Sequence, residues 1–303
     1  CIRWVTAFRA DNKWMFLLLP VAGLIIVFMY QRLDKNDGGT NQVLSTIRSK
    51  DDVPLKSAPL IFVSTLLTHL TGGSAGREGA AIQFGGSIGN QLGRIFHLDE
   101  FDHHVMVMCG MSAAFAAVFG TPMAAAVFAM EVVSVGVMYY ASIIAAKFAA
   151  GIGIHPEVFH VTVIPELTAV TGAKMAVIAA GCGAVSILFC IALKLASTLY
   201  TKYLKNPYVR VVVAALIVMG ITFILQTDDY MGAGNQLIAK AIETGRARPL
   251  DFVWKIILTA ITMRAGFRGG EIVPAFCVGA TFGCVMGQLL GFPPVVAAAA
   301  GMV

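Results

Sequence analysis

Charge is what this sequence has least of. Asp, Glu, Lys and Arg together make up 13% of its 303 residues, about half the share usual in a soluble domain. Mean hydropathy is +0.78, so an ordinary soluble globular domain is excluded. Basic stripes interleaved with aromatics are missing too, so the net charge of +5 points to the loops of a membrane protein and not to nucleic acid. The six cysteines, Cys1, Cys109, Cys182, Cys190, Cys277 and Cys284, form no CxxC. Most lie in apolar runs and read as small hydrophobes, which implies no disulfide frame. No signal-peptide pattern is present. The chain starts at Cys1 and stops in the apolar run Gly301-Met302-Val303, so both ends read as cut from something longer.

What is present is hydrophobic residue, 57% of the chain, and 31 glycines. That is length for roughly ten spans of about 20 residues, more if some are re-entrant. The glycine content suits tightly packed or interrupted membrane helices. The expected fold class is an all-α polytopic membrane protein. Residues 1–13 read as a solvent-side or interfacial segment. Spans are expected at 14–30, at 105–140 with a break at Gly120-Thr121-Pro122, and at 141–156, 169–200, 208–226 and 275–290. Shorter apolar runs fall at 59–70 and 252–262, and a last helix begins near Pro293. Residues 31–56 are a polar stretch with a short helix-like piece from Asn41 to Ile47. Residues 94–104 read as a charged loop. Its His97, His103 and His104 lack a firm ligand spacing, so no metal site is expected.

The chain is organised around GGSAGREGAAIQFGGSIGNQLG, residues 72–93. Arg77 and Glu78 sit there between Gly76 and Gly79. Charge in so apolar a setting needs a function or a partner. The glycines permit a sharp turn into a helix whose first amides attract an anion, and a carboxylate at that place could take the anion's seat. The other reading makes Glu78 a cap of the following helix, paired with Arg77.

A shift of 194 positions aligns two parts of the chain without a gap. Gly38, Asn41 and Gln42 fall on Gly232, Asn235 and Gln236. Thr65 and Thr68 fall on Thr259 and Thr262, and Gly76, Gly85, Gly89 and Gly93 on Gly270, Gly279, Gly283 and Gly287. Internal repeats in transporters bind ions where broken helices of the two halves meet. The expected division is a first repeat at 1–165, with loops Gly38–Gln42 and Gly76–Ala80, and a second at 166–303, with loops Gly232–Gln236 and Gly269–Pro274. The repeat favours the anion-site reading of Glu78. No nucleophile–base pair accompanies Glu78 or Glu271, so an enzyme is not expected, nor any cofactor.

At these residues the sequence resembles the CLC anion channels and transporters. GREGA at 76–80 is similar to the family's GREGP, and Gly270-Glu271-Ile272-Val273-Pro274 to its GxFxP, with Ile272 where Phe is usual. Gly38 to Gln42 lies where GSGIP is expected, and Ala113 to Glu131 resembles the family's AAFNAPLAG…FxxE helix. The resemblance implies a homodimer whose subunits each carry a pore, built of inverted repeats of tilted and broken helices. It implies that Glu78 is the gating, proton-carrying glutamate. It also implies that this chain lacks helices at both ends and the C-terminal pore tyrosine.

Three departures resemble the bacterial fluoride/proton antiporters of that family. Asn41 replaces the pore serine, Val132 follows Glu131 where exchangers often carry a proton-transfer glutamate, and Glu271 enters the second loop. A Thr often stands where this chain has Val273. The implied function is fluoride export coupled to protons across a bacterial inner membrane, with a chloride/proton exchanger or a passive channel as alternatives. Anion contacts are expected from Thr40 and Asn41, from Gly76, Arg77 and Gly79, and from Gly270, Ile272, Val273 and Ala275. Glu271 is either a second carboxylate on the route or the partner of Arg264 or Arg268. Phe84, Phe276 and Ile272 either line the path or pack.

Overall fold

The computed structural model describes residues 2–34, 39, 55–125, 137–154, 158–159, 161, 165–166 and 168–302. Among them all regular structure is helical, apart from one isolated β-bridge. The helices are α1 (Ile2–Asp11), a 3₁₀ segment (Lys13–Leu18), α2 (Leu19–Leu33), α3 (Ser57–Leu70), α4 (Glu78–Ile95), α5 (Glu100–Phe119) and α6 (Val137–Gly151). They continue with α7 (Ala169–Tyr203), α8 (Pro207–Leu225), α9 (Asn235–Thr244), α10 (Asp251–Ala265), α11 (Ile272–Leu289) and α12 (Pro294–Met302). Among the described residues five stretches are long and apolar enough to cross a membrane, namely Lys13–Leu33, α5, α7, α8 and α11, while α3 and α6 are apolar but shorter. This is an all-α, multi-pass membrane protein with several incomplete helices.

Helix boundaries recur at the 194-position spacing. Helices α3 and α10 start 194 positions apart, as do α5 and α12, and α4 and α11 both start and end 194 positions apart. The chain forms two compact units. One is Cys1–Val27, Leu66–Gly76 and Phe159–Val303, and the other is Phe28–Thr65 and Arg77–Val158.

In the second unit α4 packs on α5. A Cβ at Gly85 would strike the Gly110 carbonyl, one at Gly89 the Met106 carbonyl, and one at Gly93 would lie 3.1 Å from the His103 ring. In the first unit α11 packs on α12 in the same manner. Gly279 abuts the Gly301 carbonyl, Gly283 the Ala297 carbonyl, and Gly287 lies against the Ala297 side chain. The four-residue glycine spacing thus does what it predicts, bringing one helix backbone against another.

Two stretches gain detail and one expectation is corrected. Residues 2–11 are helical, because Trp4 and Phe8 stack one turn apart at 5.6 Å and Val5 is buried. The first long span opens with the 3₁₀ segment. The charged loop at 94–104 ends early, because Asp99 accepts the Asp102 amide at 2.8 Å and caps α5, with Glu100 and Asp102 favourably placed in its first turn. His103 is therefore helical and bonds Asn90 Oδ1 at 2.8 Å. Among the described residues no three His, Cys, Asp or Glu side chains gather as a metal site would require. The helix-like piece expected from Asn41 to Ile47 lies outside the described residues.

Candidate ion-transport site

In the first unit residues 71–76 meet the loop 266–271. Gly76 N–H donates to Gly270 O at 2.7 Å, and Gly270 N–H donates back to Gly76 O at 2.8 Å, as an antiparallel bridge. These two glycines are counterparts in the 194-position repeat. A reciprocal pair between equivalent residues is what a local two-fold relation produces. The approach is close. A Cβ on Gly269 would lie 2.6 Å from that of Ala75 and 2.8 Å from Gly76 O. The His69 ring, 2% exposed, reaches the Gly76 carbonyl through Nε2 at 3.2 Å, and as a carbonyl only accepts, Nε2 is the donor.

Each loop leads into a helix of identical length. Arg77 is the N-cap of α4 and Glu271 the N-cap of α11, with near-equal backbone angles of φ −112, ψ −10 and φ −103, ψ −15. Neither side chain makes a capping bond. The two N-caps, counterparts in the repeat, carry opposite charges. Glu78 is the first helical residue and is fully buried, with Arg77 at the N-cap position. It sits where the positive end of the helix dipole favours a negative charge. Its counterpart is Ile272. Glu271 is half-buried and pairs with Arg264, Nη2 to Oε1 at 2.7 Å, so the ion pair weighed for Glu271 is formed.

The amides of Gly76 and Gly270 serve one another, and that of Ala275 donates to Glu271 O at 3.0 Å in the first turn of α11. Thr40, Asn41 and Glu131 lie outside the described residues. Phe84 contacts Phe62, ring centres 6.2 Å apart, so its packing role is realised.

The sequence reading gave no role to a buried polar cluster in the first unit. Lys255 on α10 has no exposed surface, and Ser74, Thr259 and Thr262 are equally enclosed. Ser74 N donates to Thr262 Oγ1 at 3.3 Å, Ser74 Oγ lies 3.0 Å from Thr259 Oγ1, and Lys255 Nζ donates to Ser74 Oγ at 3.0 Å. The available signal was the repeat itself, which aligned the two threonines, and a lysine in the interior of an apolar helix.

Residues 22–303 match the family model described as voltage gated chloride channel. The chain belongs to that family. Membership sets it among ion-transporting membrane proteins and not among enzymes. The chain is 34% identical over 304 residues to the chloride/fluoride channel protein of Pseudomonas syringae pv. tomato, covering 95% of this chain and 67% of that one. A crystal structure of a CLC-type fluoride/proton antiporter superposes with a TM-score of 0.93 at 32% identity, covering 99% of this chain and 79% of that one. A slow cyanobacterial Cl⁻/H⁺ antiporter superposes at 0.77 with 18% identity, covering 99% and 78%, and shares the family fold.

Proposed function

We propose that this protein is a CLC-type fluoride/proton antiporter. The observation that carries the reading is the 0.93 TM-score and 32% identity to a fluoride/proton antiporter across 99% of the chain. Fluoride holds its water tightly, so a site that strips it must return strong hydrogen bonds from fixed donors. In this reading Asn41 and Thr40 offer side-chain donors and Gly79 and Ile272 backbone amides, with helix dipoles adding positive potential without bulk.

Glu78 alternates between a charged form seated at the start of α4 and a neutral form that yields to the anion. Its proton then leaves on the other side. Glu271 is the second carboxylate of the route, held ready by Arg264. The repeats are inverted halves at 1–165 and 166–303, and two subunits assemble as a homodimer in a bacterial inner membrane.

The test is efflux from proteoliposomes loaded with fluoride or chloride, started with a potassium ionophore, with anion and external pH recorded together. Fluoride efflux coupled to proton uptake, with little chloride efflux, is expected. Equal or preferred chloride efflux removes the fluoride assignment. Fluoride efflux with no proton movement selects a passive channel, the second reading, which is favoured by the name of the Pseudomonas relative.

A further inference from the structure

Lys255 is the one fully buried lysine among the described residues. Besides Ser74 Oγ at 3.0 Å, its Nζ donates to Tyr230 O at 3.0 Å and to Gly232 O at 2.7 Å. An ammonium has three N–H groups, and here each has an oxygen acceptor. Two of the oxygens lie on the loop 226–234 and one on the loop 71–77, so a single side chain on α10 holds two loops of the repeat. Ser74 Oγ also shares a hydrogen bond with Thr259 Oγ1 at 3.0 Å, in which either hydroxyl can be the donor. Gly232 N–H closes the set by donating to Gly73 O at 3.0 Å. The result fixes the backbone of residues 73–76, from which the chain runs through Arg77 into Glu78.

Packing alone does not require an ammonium here. Burying one is costly unless its hydrogens are satisfied, and methionine would fill the same space without that demand. The repeat provides an internal comparison. The counterpart of Lys255 is Ile61, also buried, on α3. The same helix position in the other repeat takes an aliphatic side chain, so the lysine belongs to the second repeat's particular task.

We propose that Lys255, acting through Ser74, is the positioning residue of the segment 73–76 that leads into Glu78 and sets how tightly anion movement is coupled to the proton on Glu78. The coupling part rests on the antiporter reading, and the positioning part does not. The experiment uses the full chain in liposomes with Lys255→Met, Lys255→Arg, Ser74→Ala and the double variant Lys255→Met/Ser74→Ala. Proton and anion fluxes are read in the same vesicles, and amide hydrogen exchange is read on peptides covering 72–80 and, as reference, 169–203.

Lys255→Met and Ser74→Ala should each lower the proton-to-anion ratio while anion flux persists. Exchange in 72–80 should rise about fivefold, the factor set by loss of one hydrogen bond, with 169–203 unchanged. The double variant should be no worse than Lys255→Met alone, because the two residues act in series, and Lys255→Arg should restore part of the ratio. Ser74→Ala leaves the lysine and its two carbonyl bonds in place, so it decides the matter even if Lys255→Met does not fold. Parent-like ratio and parent-like exchange in Ser74→Ala would overturn the proposal. If the parent itself moves no protons, the antiporter reading fails, and unchanged exchange in 72–80 overturns the positioning as well.

Discussion

At Gly269 a single methyl group separates the observed bridge from a broken one. Its Cβ would fall 2.6 Å from Ala75 Cβ and 2.8 Å from Gly76 O, and both neighbours are backbone-fixed. Gly269→Ala should open the Gly76–Gly270 pair, destabilise by about 1–3 kcal/mol as overpacking does, and lower transport per folded molecule. The control is Gly183→Ala in α7, where a Cβ meets nothing within 4 Å. Helix propensity then leaves stability unchanged or raised by up to about 1 kcal/mol. Equal transport losses in both variants would show that the bridge is dispensable.

A second residue carries a pH dependence. Burial pushes the Asp229 carboxyl up, but the bonds from Lys240 Nζ at 2.7 Å and Thr227, with the charges of Lys240 and Arg248, outweigh it and hold it below the ordinary carboxylate value. A depressed folded value gives stability that is present above the unfolded pKa of about 3.9 and is lost as pH falls through the folded one. The Tm gap between the parent and Asp229→Asn in detergent should therefore shrink between pH 6 and pH 3. A constant gap across that range rules the ion pair out as its source.

Among elements, the α4–α5 and α11–α12 contacts follow from one pattern written twice. Gly85 and Gly279 are repeat counterparts, and each faces a carbonyl of the neighbouring helix, Gly110 and Gly301. No rotamer relieves a clash with backbone, so Gly85→Val and Gly279→Val should each lower Tm, by a cost that exceeds the gain from replacing a helix-interior glycine, about 1 kcal/mol or less. A raised Tm in either would mean that the helices can separate freely there. This part of the fold was legible because glycine at every fourth position has few other uses, and because one offset served the whole stretch. The charged segment near residue 99 was not legible, since Asp99 reads equally as loop or cap until the Asp102 amide is seen to meet it. Helix α1 was hidden by its low hydropathy. Lys255 was hidden more deeply. A lysine in an apolar helix reads as a side chain that snorkels to the interface, and only the convergence of Ser74, Tyr230 and Gly232, far apart in sequence, reveals it as buried.

For the molecule as a whole, the repeat supplies two equal helix starts and the sequence makes them unequal. Position 77 is Arg where its counterpart 271 is Glu, and position 78 is Glu where its counterpart 272 is Ile. Both starts offer the same dipole and the same cap geometry, so the backbone alone would give two alike anion seats. In the proposed exchange the buried carboxylate of Glu78 is the occupant that carries a proton in place of the anion. Replacing that carboxylate by an isosteric amide keeps the volume and removes the titration. In proteoliposomes Glu78→Gln should bring proton movement to background while anion movement persists, whereas Ile272→Val, at the equivalent start without a carboxylate, should keep the parent's proton-to-anion ratio. Proton flux unchanged in Glu78→Gln would move the coupling elsewhere, with Glu271 and its Arg264 partner the next pair to replace.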